Sequence, residues 1–220
     1  VNRAGSAPFA RNKILRKVNL TVPGNIMSVS NLSGYGLEFT GTTTLTGPAH
    51  FAVGNATASN LQPGLILSGA VDDGVNDYGL IKSGAGTLLL SGTNTFGAAG
   101  RTLDILSGVL AASSDAALGN ASNTVTINVD GSTGTGFRAV DTFTTSRTFV
   151  LNQPNNAFEV VAGKVLTLNA ALSFASTSAL LYKNDNGVLE LAASNAASNW
   201  SVATGGIIIN AGAVRLSAAG

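Results

Sequence analysis

Apolar and polar residues alternate in short runs along the chain. Val125-Thr-Ile-Asn-Val129, Val165-Leu-Thr-Leu168, Val188-Leu-Glu-Leu191 and Val214-Arg-Leu216 have the period of two that marks a half-buried strand. The runs close on Gly, Asn, Asp or Ser, residues that accept the backbone conformations of a tight turn. Gly or Asn interrupts every longer stretch that starts with helical spacing, so the pattern predicts an all-β chain with little helix. Short strands at this spacing suit a sandwich, a barrel or a solenoid.

Self-comparison narrows the choice. Leu65-Ile-Leu-Ser-Gly-Ala-Val71 matches Leu166-Thr-Leu-Asn-Ala-Ala-Leu172 at an offset of 101. The same offset carries Lys82 to Lys183, Gly86 to Gly187, Leu88 to Leu189, Leu90 to Leu191 and Asn94 to Asn195. It becomes 104 for Phe96 with Trp200, Ile105 with Ile209 and Gly108 with Gly212, as one insertion near residues 196–198 would produce. Two related units, approximately 19–119 and 120–220, therefore follow a segment 1–18. A period of about 100 residues is too long for one blade or hairpin but divides into four or five rungs of about 20–25. The inward residues are Leu, Ile, Val and Ala, which suit a narrow core. The chain is predicted to be a β-solenoid of nine or ten rungs, about 45 Å long at about 4.8 Å per rung.

Composition agrees and excludes other classes. A hydrophobic content of 45% can bury a core, while 10% charge is too little for a solvated, ion-paired helical protein. With Cys 0 there is no disulfide scaffold, thiolate zinc site or cysteine nucleophile. Such a chain can also cross an oxidising compartment unfolded without forming stray disulfides. No apolar run is long enough to span a membrane as a helix. The start, Val1-Asn-Arg-Ala, has neither methionine nor an apolar leader, as expected of a piece of a longer precursor. Arg3, Arg11, Lys13, Arg16 and Lys17 all precede the first acid, Glu38, so residues 1–18 read as a basic arm or linker on a mildly acidic body. Such an arm can meet phosphate or anionic lipid, but more often it is a solvated terminus. No basic stripe is interleaved with aromatics, so nucleic acid is not an expected partner.

Lys82, Gly84, Gly86, Leu88, Leu90, Asn94 and Phe96, followed by Gly108, Leu118 and Gly119, recur at fixed spacing over residues 79–119. This stretch resembles the autotransporter-associated β-strand repeat of bacterial surface and secreted proteins. Residues Lys183, Gly187, Leu189, Leu191, Trp200 and Gly212 form a degenerate second copy, with Asp185-Asn186 in place of the Gly-rich pair. The resemblance implies a single-stranded, right-handed parallel β-helix, export through the outer membrane and exposure at the bacterial cell surface. It implies no shared catalytic activity, because the repeat is a scaffold for different functions.

The candidate chemistry is sparse. Asp72-Asp73-Gly-Val-Asn-Asp77 offers carboxylate oxygens around a turn and is a candidate calcium site, although it lacks the spacing of known calcium loops. A solvated turn is the favoured reading. His50 is the lone histidine, and no Gly-x-Ser-x-Gly elbow accompanies it. The acids are too scattered for a sugar-cleaving pair, and Gly84-Ala-Gly86 fails as a phosphate loop. The aromatics read as core or cap residues. No catalytic residue and no cofactor is expected.

The leading expectation is a non-enzymatic, extracellular structural or display solenoid. It would meet further repeats of its precursor or stack end to end on itself, since a solenoid end exposes backbone and core. The basic residues Arg11, Lys13, Arg16 and Lys17 would help to join units. An adhesin for surface glycans or matrix proteins is the alternative, and a polysaccharide-active enzyme stands third.

Overall fold

The computed structural model of the chain describes residues 13–30, 34–54, 62–128, 136–174, 180–192 and 206–217. Arg11 and Trp200 lie outside the described residues. Among the described residues every strand pairing is parallel, and neighbours in a sheet come from successive turns of one coil. The protein is a β-solenoid.

Nine strands stack in the longest sheet: Lys13–Lys17, Tyr35–Phe39, Leu65–Leu67, Thr87–Leu90, Val109–Ala112, Gly136–Ala139, Asn155–Val160, Leu180–Asn184 and Gly206–Ile209. A second sheet of seven runs from Ile26–Val29 through Ala49–Val53, Leu80–Ser83, Thr102–Ile105, Thr124–Ile127 and Phe149–Leu151 to Ser173–Phe174. The middle face holds a three-stranded sheet over the early turns (Leu20–Pro23, Thr43–Gly47, Val71–Asp72). A four-stranded sheet covers its later turns (Phe143–Thr145, Val165–Leu168, Val188–Leu191, Ala213–Leu216). One turn consumes 21 residues at its shortest, Phe137 to Phe158, and 31 at its longest, Ala49 to Leu80. About seven turns carry strands in both long sheets, fewer than the nine or ten expected, because the last two strands of the long sheet have no described counterpart in the second.

Alternation decides which side chains enter the core. Thr43–Gly47 and Ala49–Val53 bury every second residue, so Leu45, Phe51 and Val53 point inward. The register stacks these positions into columns. Leu37, Leu65, Leu88, Leu110, Phe137 and Phe158 follow one another along the long sheet. All the buried apolar side chains of this type form one cluster that crosses the expected division at residues 119–120. Phe137 meets Phe149 and Phe158 edge-on across the core, those two rings are tilted to each other, and the ring centroids lie 5.1–6.1 Å apart. The outward row of the long sheet carries opposed charge pairs, Arg16 with Glu38 and Arg138 with Glu159.

Between the two middle sheets the ladder gives way to side chains. The Asn94 carbonyl oxygen accepts from Val71 N at 2.8 Å, and its amide nitrogen donates to Ala117 O at 2.6 Å. One asparagine thus bridges the turn below to the turn above, where a 3-10 turn, Ala116–Leu118, replaces a strand.

Lys13–Lys17 is a strand of the coil, not part of an arm. It pairs in register with Tyr35–Phe39 and sets Arg16 opposite Glu38. The basic residues hid this, since a strand at the end of a stack can carry charge without burying it.

The two sequence units sit out of phase. Four turns carry Lys82 through Ile105, Ile127 and Leu151 to Phe174 within the seven-stranded sheet. Lys183 lies one face further on, in the nine-stranded sheet. The offset of 101 is therefore four turns plus one face.

Replacing Phe137 with Ala leaves a void between two rings and is expected to cost about 3–5 kcal/mol. The melting temperature should fall by about 6 °C or more in calorimetry. A drop of under about 2 °C would mean the three rings do not share one core.

Candidate functional site

The feature that the two sequence units share proves to be a corner. Lys82 stands next to last in the strand Leu80–Ser83, just before the coil turns, and its side chain is fully buried. Its Nζ donates to Ser83 O at 2.7 Å, Gly84 O at 2.7 Å and Ser107 O at 3.0 Å. The first two carbonyls belong to its own corner and the third to the corner of the next turn. Lys183 repeats the arrangement, donating to Asn184 O at 2.6 Å, Asp185 O at 2.7 Å and Ala211 O at 3.4 Å. At a corner the chain leaves the ladder, and its carbonyls turn away from neighbouring strands. A buried carbonyl without a donor costs free energy, and an ammonium supplies three donors from one point.

The glycines complete the corner. Gly84 has φ 75° and Asp185, its counterpart, has φ 63°, the one positive value at a non-glycine among the described residues. A Cβ at Gly84 would sit 2.5 Å from Val53 O, so glycine is required there on two counts. At Asp185 the side chain accepts from Asn186 N at 2.8 Å, a local bond that helps an aspartate hold this conformation. Gly86, Gly108, Gly187 and Gly212 occupy the same corners, and a Cβ on Gly108 would come within 2.4 Å of carbonyls of both Gly84 and Gly86. Leu88, Leu90, Leu189 and Leu191 are core residues beyond the corners. Phe96 and Leu118 are buried beside them, and Gly119 follows the 3-10 turn.

Other buried polar groups serve the backbone in the same way. Arg147, absent from the sequence-based candidates, holds the 3-10 turn from the following rung. Its Nε donates to Asp115 Oδ1 at 2.8 Å, its Nη2 to Gly119 O at 2.8 Å and its Nη1 to Asn120 O. The signal available in the sequence was an arginine at an inward position of an alternating run, Phe143 to Phe149. Asn123 Nδ2 donates to Phe96 O and Leu118 O at 3.0 and 3.1 Å.

The acidic cluster does not converge. Asp73 is buried, and its Oδ2 accepts from Tyr78 N at 2.8 Å and Gly97 N at 2.9 Å, so this member is not solvated as expected. Asp72 Oδ1 accepts from Gly74 N and from Thr95 Oγ1 at 3.0 Å, and Asp77 is exposed. Among the described residues no three acidic or histidine side chains are grouped to hold a metal. His50 lies 2.7 Å from Ser83 Oγ.

An open cleft of about 490 Å³ lies where the loops of three turns meet. Asp77, Tyr78 and Asn76 form one wall, Arg101 and Thr102 another, with Pro48, Gly79 and Gly100 between them. Asp77 and Arg101 are exposed and Tyr78 is half-buried, so the cleft offers an aromatic surface between two opposite charges.

No family model, no curated protein and no solved structure matches this chain.

Burial pushes the Lys82 amine from its ordinary 10.5 down to about 7, and burial lowers Lys183 too, against the pull of Asp185 and Glu159. Burial likewise raises Glu159, while Arg138 opposes the shift. Between about pH 7 and 10.5 the unfolded chain keeps a proton that folded Lys82 has released. Unfolding free energy is therefore expected to rise with pH across that window and to be level in this respect below it. Lys82→Met, uncharged and of similar length, should reduce the rise in denaturant titrations at about pH 6.5 and about pH 9.5. Equal slopes in the two proteins would show that Lys82 keeps its proton.

Proposed function

We propose that this chain is a non-enzymatic structural rod, a display segment of a bacterial surface protein that works outside the cell. The observation that carries this reading is the use made of the buried polar side chains. Lys82, Lys183, Arg147 and Asn94 all bind backbone groups of the coil itself. Catalytic groups are typically aimed at a cleft and perturbed by one another. Here the perturbed amines are enclosed by carbonyls, which suits a part whose task is to hold its shape. Placement at a bacterial surface rests on the resemblance of residues 79–119 to the repeat of such proteins. Protease treatment of intact cells that make the protein is expected to release or degrade it while cytoplasmic proteins survive. Full protection until lysis would overturn the reading.

The cleft beside Tyr78 favours a second reading, an adhesin for glycans. An aromatic face with flanking charged groups suits a hydroxylated sugar ring, the ring contributing apolar contact and the charges hydrogen bonds. Saturable binding on a glycan or matrix array is then expected, weakened at least tenfold by Arg101→Ala. Binding unaffected by that substitution would place the ligand elsewhere.

A further inference from the structure

Nearly every charged side chain among the described residues is committed to the coil itself. Beyond Lys17, the bases Lys82, Arg138, Arg147, Lys164, Lys183 and Arg215 all donate to carbonyls or carboxylates, and among the described residues there Arg101 alone has no partner. Every described carboxylate except that of Asp77 accepts a hydrogen bond from the protein. The two exceptions line one cleft, the space beside Tyr78, without pairing with each other. That cleft lies within the coil, where described turns continue on both sides.

The walls that carry these two groups are fixed. Asp73 Oδ2 accepts from Tyr78 N at 2.8 Å and ties it to Gly97 N of the next turn. Asn76 N and Asn76 Nδ2 both donate to Asp73 O at 3.1 Å. Across the cleft, Arg101 N donates to Ala98 O at 3.0 Å, and Arg101 O accepts from Thr124 N at 2.9 Å. The backbone is thus bound on both walls while a carboxylate and a guanidinium stay open to solvent. A preformed ligand site has this character, since little order is lost when the ligand arrives.

We propose that the cleft takes a single carboxylated sugar residue at the end of a glycan. This rests on the glycan-binding reading and names the class of sugar. The planar guanidinium of Arg101 presents paired donors that match a carboxylate. Asp77 accepts from ring hydroxyls, and Tyr78 offers an aromatic surface to the apolar face of the ring. One carboxylate is matched and a second is opposed. Asp72 stands in the same loop as Asp77, and Asp104 accepts from Thr102 Oγ1 at 2.9 Å on the opposite wall. A run of acidic sugars would bring its further charges against these carboxylates. The volume of about 490 Å³ lies in the lower part of the range for small-ligand sites, about 300–1,000 Å³, which suits a terminal sugar.

A glycan array that carries each terminal carboxylated sugar beside its methyl amide reads the charge directly. The chain is expected to bind the acids about tenfold or more tighter than the amides. Arg101→Ala is expected to abolish that preference, and Arg101→Lys to keep part of it, because lysine retains the charge without the paired donors. The Arg101 side chain makes no contact that folding needs, so an unchanged melt shows each variant to be intact. Polygalacturonate is expected to compete no better than methyl galacturonide at equal concentrations of sugar residue. Equal binding of acid and amide, a preference that survives Arg101→Ala, or stronger competition by the polymer would overturn the proposal and leave glycan binding in place. Binding to no glycan on the array would overturn the proposal together with the glycan reading.

Discussion

The structure depends on one constraint: a coil of parallel strands satisfies its backbone along the strands but not at the corners. On a face, each N–H and C=O finds the turn above or below at the spacing of a ladder. At a corner the chain changes direction within a few residues, and its carbonyls point where no strand lies. Water cannot reach a corner that is buried under its neighbours. Two lysines answer this, each feeding three carbonyls across two successive corners. Glycine or a locally bonded aspartate supplies the backbone conformation that brings those carbonyls together.

The same logic runs through the middle face, where regular strands fail over two turns. Asn94 stands in for a ladder by accepting from one turn and donating to another, and Arg147 gathers the carbonyls of the 3-10 turn. These groups are costly to bury alone but stabilising when every donor has an acceptor. The apolar core is narrow and continuous, so each rung rests only on its neighbours. That one-dimensional order makes the flanks self-sufficient. Polar chemistry among the described residues is spent mainly on holding turns, and in the Tyr78 cleft exposed charges of both signs face one space.

The phase of the two units carries a structural lesson. A repeat of 101 residues returns not to the same face but to the next one. The lysine corner works equally at either junction, since it needs only two stacked corners and an inward stem. Sequence repeat and structural repeat are thus separate periods here, and what is repeated is the corner.

Period-two alternation made the strands legible, and turn residues every few positions made the coil legible, because both are local consequences of backbone geometry. Self-comparison located Lys82, Lys183 and the glycines as equivalent positions. Their role was not readable: a lysine in an alternating run looks like a surface residue until its stem is seen inside. The strand at Lys13–Lys17 was missed for a related reason, as its charges obscured an edge strand held by pairing with Tyr35–Phe39. Asp73 looked solvated and is buried, because beside Tyr78 N of its own loop it meets Gly97 N, which only the winding of the next turn brings to it. By itself the sequence determined that the chain would be short strands around an aliphatic core with corners at the glycines. Which face each repeat occupies, which amine meets which carbonyl and how many turns close were decided by tertiary structure. Those contacts join residues one turn apart, and a turn of variable length leaves no fixed spacing to read.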